Sequence, residues 1–229
     1  MRYIHIPILL FIVLTQTDCI DVHSGERRSD FHETGYIMDG DIIFHKSKSR
    51  QSRLISEVTG SPYTHMGILF RTGGKLQVYE AVGPVKSTPF EEFVKRGEDG
   101  DYEIKRLKDH RRYLTLENLQ KLREAGLSYK GKPYDLKFQM NDDAIYCSEL
   151  VFKMYGKALG LTIGKVQRFS DFNLSDPEVV KELKRRYGGD FNMRELVVTP
   201  KSMYESELLE IVGPRWEIIR SIQLSVKAF

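Results

Sequence analysis

Residues 63–82 leave this chain little choice of local structure. The run Tyr63-Thr64-His65-Met66-Gly67-Ile68-Leu69-Phe70 is apolar and aromatic, as a buried strand requires, and Leu76-Gln77-Val78-Tyr79-Glu80-Ala81 follows in kind. Between them Thr72-Gly73-Gly74-Lys75 supplies a tight turn, so the stretch predicts an antiparallel hairpin. The turn also decides which side chains meet. With Gly73 and Gly74 in the loop, His65 pairs with Val82, and Glu80 lies on the same face one diagonal step away. With Thr72 and Gly73 in the loop, His65 pairs with Glu80 directly. A three-residue loop would turn Glu80 to the opposite face, because side chains alternate along a strand. Either two-residue turn therefore joins an imidazole to a carboxylate.

A second stretch, Asn141-Asp142-Asp143-Ala144-Ile145-Tyr146-Cys147-Ser148-Glu149-Leu150-Val151, predicts a helix beginning at or near Cys147. Leu150, Val151, Met154, Ala158 and Leu159 recur at helical spacing, Asp142, Asp143 and Ser148 offer capping oxygens, and Gly156 or Gly160 offers a stop. A cysteine at a helix N-terminus sits in the positive end of the macrodipole, which favours thiolate. The competing reading is a small buried hydrophobe.

Around these stretches the chain mixes strands and helices. Asp39-Gly40-Asp41 is a turn before the strand Ile42-Ile43-Phe44, and residues 47–60 form a helix with Leu54, Ile55 and Val58 on one face. A short helix with an early proline follows at 88–93, a strand at 101–107, an amphipathic helix at 115–126 and a turn at 129–135. Beyond Gly164 the pattern predicts a loop that contains 169–174, a charged helix at 177–187, a strand at 196–200, and a short helix or turn leading to apolar residues 208–212. Without βαβ alternation, the class is α+β.

The chain has 229 residues, 41% hydrophobic and 29% charged, enough for one domain with a substantial core. A net charge of +3, spread in short clusters such as Lys184-Arg185-Arg186, argues against a nucleic-acid footprint. Residues 1–19 read differently: Arg2, then an apolar run from 4 to 14, then polar Thr15-Gln16-Thr17-Asp18-Cys19. That run is too short to span a bilayer and fits a secretory or lipoprotein signal. The expected organisation is a signal at 1–19, a lead-in at 20–35 and one domain at 36–229, with a C-terminal extension from about 165. Export to the periplasm or cell envelope follows, with membrane attachment through Cys19 as one route. The residues Gln16-Thr17-Asp18 depart from the small residues usual before an acylated cysteine. Only Cys19 and Cys147 exist, so an exported chain trimmed of its signal keeps a lone thiol without an internal disulfide. Multi-cysteine metal cages are excluded by count, and Asp41, Asp142 and Asp143 match no metal loop. No metal and no cofactor are expected, and the oligomeric state is not legible.

A thiolate needs a base beside it, and the base needs an orienting partner. Cys147, His65 and Glu80 offer that set: sulfur attacks a carbonyl, His65 passes the proton to the leaving group, and Glu80 holds the imidazole tautomer. The backbone N–H of Cys147 would serve a developing oxyanion. Taken singly, His65 also reads as a core histidine and Glu80 as a rim carboxylate.

Gly131-Lys132-Pro133-Tyr134 followed by Tyr146-Cys147-Ser148-Glu149-Leu150-Val151 resembles the cysteine-helix region of NlpC/P60 cell-wall peptidases. Gly40-Asp41-Ile42-Ile43-Phe44, Thr64-His65-Met66-Gly67 and Tyr79-Glu80-Ala81-Val82-Gly83-Pro84-Val85 resemble its histidine half. The order is inverted, His before Cys, which is similar to the circularly permuted, papain-like branch typified by YiiX-like proteins. The resemblance covers roughly residues 35–159, with Thr199-Pro200 as a further match. It implies a permuted papain-like fold, with an antiparallel sheet or partial barrel packed against helices. It also implies a substrate or oxyanion role for Tyr134, and Tyr63, Ser148 and Glu149 join the expected substrate-side set. Glu149 stands where the peptidases have Gly; a carboxylate there could line the pocket or bond the backbone, a departure that bears on a peptide substrate.

Three functions follow as expectations. The first is a thiol amidase or peptidase acting on cell-wall peptide or γ-glutamyl-type bonds. The second is a lipid-directed thioesterase or acyltransferase, since the permuted branch resembles lecithin:retinol acyltransferases; Phe169, Phe172, Leu174 and Tyr155 would line its apolar groove. The third is a binding module on the same scaffold, weighted least because all three triad residues are retained.

Overall fold

A computed structural model of the protein describes residues 36–188 and 191–212. The expected signal, the lead-in and Cys19 lie outside them. In chain order the elements are β1 (Ile42–His45), α1 (Arg50–Thr59), β2 (His65–Thr72), β3 (Lys75–Ala81), β4 (Val85–Pro89), α2 (Phe90–Lys95), β5 (Glu103–Leu107), α3 (His110–Tyr113) and α4 (Leu116–Leu127). Then come α5 (Cys147–Leu159), β6 (Val166–Arg168), α6 (Pro177–Tyr187), β7 (Leu196–Val198), α7 (Pro200–Tyr204) and β8 (Leu209–Val212).

Six strands form one open sheet in the order β4-β3-β2-β1-β5-β8, antiparallel throughout. The class is α+β as expected, and the sheet does not close into a barrel. The segment beyond residue 165 returns β8 to this sheet and forms the small β6–β7 ribbon. The three-residue β6 was expected as loop, being too short to show a periodic signal.

Alternation sorts the core into two faces. Ile42, Phe44, Met66, Ile68 and Phe70 join the cluster containing α4 and α5, through Leu122, Leu150, Val151 and Met154. Ile43, Leu69, Val78 and Ile104 point the other way, onto Phe90 and Phe93 of α2. Burying such apolar faces stabilises each layer by roughly 1.5–3 kcal/mol per large side chain.

The hairpin settles on the turn with Gly73 and Gly74 in the loop, because Thr72 pairs with Lys75 and Ile68 with Tyr79. Gly73 and Gly74 take φ of 57° and 78°, left-handed values that glycine adopts without a Cβ clash. Gly67 has a different reason to be glycine. A Cβ there would lie 2.5 Å from Val78 Cγ1 and 2.8 Å from the Tyr79 carbonyl oxygen, so only hydrogen lets β2 and β3 close up beneath the site.

Candidate active site

The start of α5 brings Cys147 to one end of the sheet. Its cap differs from expectation. Asp142 pairs with Lys153 instead (2.8 Å), and the Ser148 hydroxyl donates to the Val198 carbonyl (2.9 Å). Glu149 closes the helix start, accepting from the Tyr146 N–H at 3.3 Å, while its other oxygen pairs with Lys153 at 2.7 Å. Gly160, left-handed at φ 66°, ends the helix.

His65 opens β2, and its Nε2 lies 2.6 Å from Glu80 Oε2 on β3. That leaves Nδ1 as the ring nitrogen free for another partner, and the Cys147 thiol is close enough to the imidazole for each to shift the other's titration. All three groups are buried: Glu80 is 0%, Cys147 2% and His65 8% exposed. Burial alone would keep each neutral. The mutual bonds outweigh it: those from Cys147 and Glu80 raise His65 to about 9. For Cys147, burial pushes upward, and the His65 bond and charge, the Ser148 N–H and the Tyr134 hydroxyl bring the thiol below its usual value. Glu80 is likewise held below the usual carboxylate range against its own burial, by the bond to His65 and the charges of His65 and Arg96. The resting state these shifts favour is a thiolate–imidazolium pair.

The remaining expected site residues divide. Tyr134, half-buried, lies beside the thiol and accepts from Gln51 Nε2 at 3.0 Å. Ser148 borders an apolar cavity beside Cys147, but its hydroxyl is spent on Val198. Glu149 does not line the cleft; it is buried as helix cap and Lys153 partner. Burial raises it to about 7, more than Lys153 can offset. Tyr63 is also drawn elsewhere. It stacks on Tyr204 with ring centroids 4.2 Å apart, and its hydroxyl donates to Glu103. Both were expected on the substrate side; remote segments claim Tyr63, and the first turns of α5 itself claim Glu149, which takes the backbone-bonding alternative.

Three neighbours escaped the sequence reading. Arg96, just past α2, donates to the Glu80 oxygen that His65 does not use. His45, at the end of β1, stacks on Phe93 at 4.3 Å and lies 5.3 Å from the His65 ring. Burial and the positive charges of His65 and Arg96 push it down to about 3, so it is neutral. Gln51 on α1 orients Tyr134. A basic residue after a short helix, or a polar edge on an amphipathic one, gives no signal of its own.

Phe169, Phe172 and Leu174 line a cavity of about 100 Å³ that also includes Cys147, Leu54, Val58 and Val198. Tyr155, expected with them, is not in its wall and donates instead to the Gly40 carbonyl.

A thiol at a helix start, facing an imidazole on an antiparallel sheet in His-before-Cys order, defines a permuted papain-like cysteine hydrolase fold. Residues 36–213 match the family model described as "Permuted papain-like amidase enzyme, YaeF/YiiX, C92 family", and the chain belongs to that family. It is 41% identical over 179 residues to "Uncharacterized protein YiiX" of Escherichia coli K12, spanning 78% of this chain and 87% of the relative. A solved structure titled as metalloprotein yiiX from Escherichia coli O157:H7 is 42% identical and superposes with a TM-score of 0.73, over 77% of this chain and 96% of that one. The word metalloprotein belongs to that structure. Among the described residues, no three His, Cys, Asp or Glu side chains gather as a ligand set.

Proposed function

We propose that this member of the amidase family hydrolyses an amide bond with Cys147 as nucleophile, His65 as proton carrier and Glu80 as the residue positioning His65. The observation that supports this most is the buried His65–Glu80 bond of 2.6 Å beside the Cys147 thiol at the start of α5, with thiol and imidazole shifting each other's titration. Cys147 sulfur would attack the carbonyl carbon while the oxygen collects charge near the Cys147 N–H and the Tyr134 hydroxyl. Imidazolium His65 would then give its proton to the departing amine, leaving a thioester. Water, deprotonated by His65, would split the thioester and restore the thiol. Cell-wall peptides and γ-glutamyl-type amides are the substrates proposed first, in keeping with an exported protein.

One observation favours a second reading. The wall of the cavity beside Cys147 is largely apolar, and an acyl chain seated there would present its ester or thioester carbonyl to the sulfur. A single comparison decides between them: turnover of purified muropeptides against fatty-acyl esters, with Cys147→Ala as control. Release of amine from muropeptides alone supports the amidase, and release from acyl esters alone supports the lipid enzyme. Turnover that survives Cys147→Ala contradicts both.

A further inference from the structure

The space around the triad has two compartments of opposite character, meeting at Gln51 and Ile55, which line both. The first is the apolar cavity that reaches Cys147. The second is a cleft of about 780 Å³ reached by His65 and Tyr134, and its wall carries Lys48, Lys95 and Arg96. Among the described residues, no Asp or Glu side chain lines this cleft. Among the described residues, neither Lys48 nor Lys95 takes part in an ion pair. Arg96 gives one nitrogen to Glu80 and keeps a buried Nε without a hydrogen-bond partner. Two lysines without an ion pair among the described residues, beside an arginine that keeps a buried unpaired donor, make this wall a place for an anion that the described part of the chain does not supply.

The chemistry assigns the compartments. After C–N cleavage the acyl half remains on sulfur, so it belongs on the Cys147 side. The amine must take its proton from the imidazole, so it belongs on the His65 side. We infer, on the reading that Cys147 is the nucleophile, that the amine half of the scissile amide bears an anionic group, a carboxylate as in an amino acid, which Lys48, Lys95 and Arg96 hold in this cleft. The bond balance is that of hydrolysis: C–S forms as C–N breaks, the amine leaves with the His65 proton, and water then replaces sulfur. A phosphate on the amine would satisfy the same cations.

Three octanoyl amides that differ only in the amine test this: those of glycine, glycinamide and 2-aminoethyl phosphate. With the full-length protein at low salt, kcat/KM for at least one anionic amide should exceed that for the glycinamide by roughly fivefold or more. The faster anion tells carboxylate from phosphate. The ratio should collapse towards one in about 0.5 M NaCl and in the Lys48→Gln/Lys95→Gln double variant. Equal rates, a faster glycinamide, or a preference that survives the double variant overturns the inference. If none of the amides turns over, the hydrolase reading fails for them, and titration of the same compounds into Cys147→Ala decides the anion site separately. Tighter binding of an anionic amide, lost with the two lysines, upholds it; equal binding or none overturns it.

Discussion

Glu80 Oε2 stands 2.6 Å from His65 Nε2, wholly shielded from solvent, and the other oxygen of the same carboxylate receives Arg96. The imidazole is thus held from behind by a charge that is itself anchored, and its free edge is turned to Cys147.

Replacing Glu80 by Gln removes that charge but keeps the shape. The imidazolium loses its counter-ion, and the correct tautomer is no longer enforced. Hydrolysis should drop roughly 10²-fold or more in kcat with little change in KM, measured on whichever substrate the wild type turns over. A variant within a factor of two of wild type would show that Glu80 is only structural.

The pH profile follows from the same bonds. The thiolate appears as pH rises through the depressed Cys147 value, and the imidazolium, raised to about 9, is lost above it. Both are needed to expel an amine, so kcat/KM should be bell-shaped with its alkaline limb near pH 9. In Glu80→Gln that limb should move down, because one bond that raises His65 is weakened. An alkaline limb near 6.5, the ordinary histidine value, would contradict the pairing.

Gly67→Ala tests the support beneath the site. The new Cβ meets Val78 Cγ1 and the Tyr79 carbonyl at distances that real atoms avoid, and Glu80 Cβ at 3.2 Å. Overpacking of this kind costs about 1–3 kcal/mol. Denaturant unfolding should show that loss, and activity should fall further than stability, since the strand carrying Glu80 is the one displaced.

Glu149 sets a pH dependence of a different sort. Its folded value, raised by burial to about 7, exceeds the ordinary 4.5, so the unfolded chain gives up the proton first. This contribution to stability is fully present below about pH 4.5 and is lost as pH climbs to about 7, on the order of 3 kcal/mol. Lys153 shifts upward, as a paired lysine does, but the carboxylate's own direction is governed by burial. Glu149→Gln should flatten the stability curve between pH 5 and 7, with urea midpoints as the readout. An unchanged slope would place the titration elsewhere.

Much of this was legible in the sequence, where local rules suffice. Alternation and a glycine turn limited His65 and Glu80 to one face, and the Gly73–Gly74 register selected the diagonal arrangement. Periodicity located α6 to the residue and the start of α5 at Cys147, while the stop of α5 stayed open between Gly156 and Gly160. What could not be read depends on contacts between distant segments. Arg96 reaches Glu80 across 16 residues, Gln51 reaches Tyr134 across 83, and Tyr63 is captured by Glu103 and Tyr204. For Glu149 the choice between lining the pocket and bonding the backbone stayed open, because its two partners, the Tyr146 N–H and Lys153, become apparent only once the helix has formed.

The claim on which the rest depends is that His65 holds the Cys147 sulfur as thiolate near neutral pH. Iodoacetamide labelling of Cys147 as a function of pH, in the wild type and in His65→Ala, measures it directly. The account predicts a wild-type inflection well below the free-thiol value of about 8.5, and a shift to that value or above in His65→Ala. An inflection at about 8.5 in both proteins would contradict it.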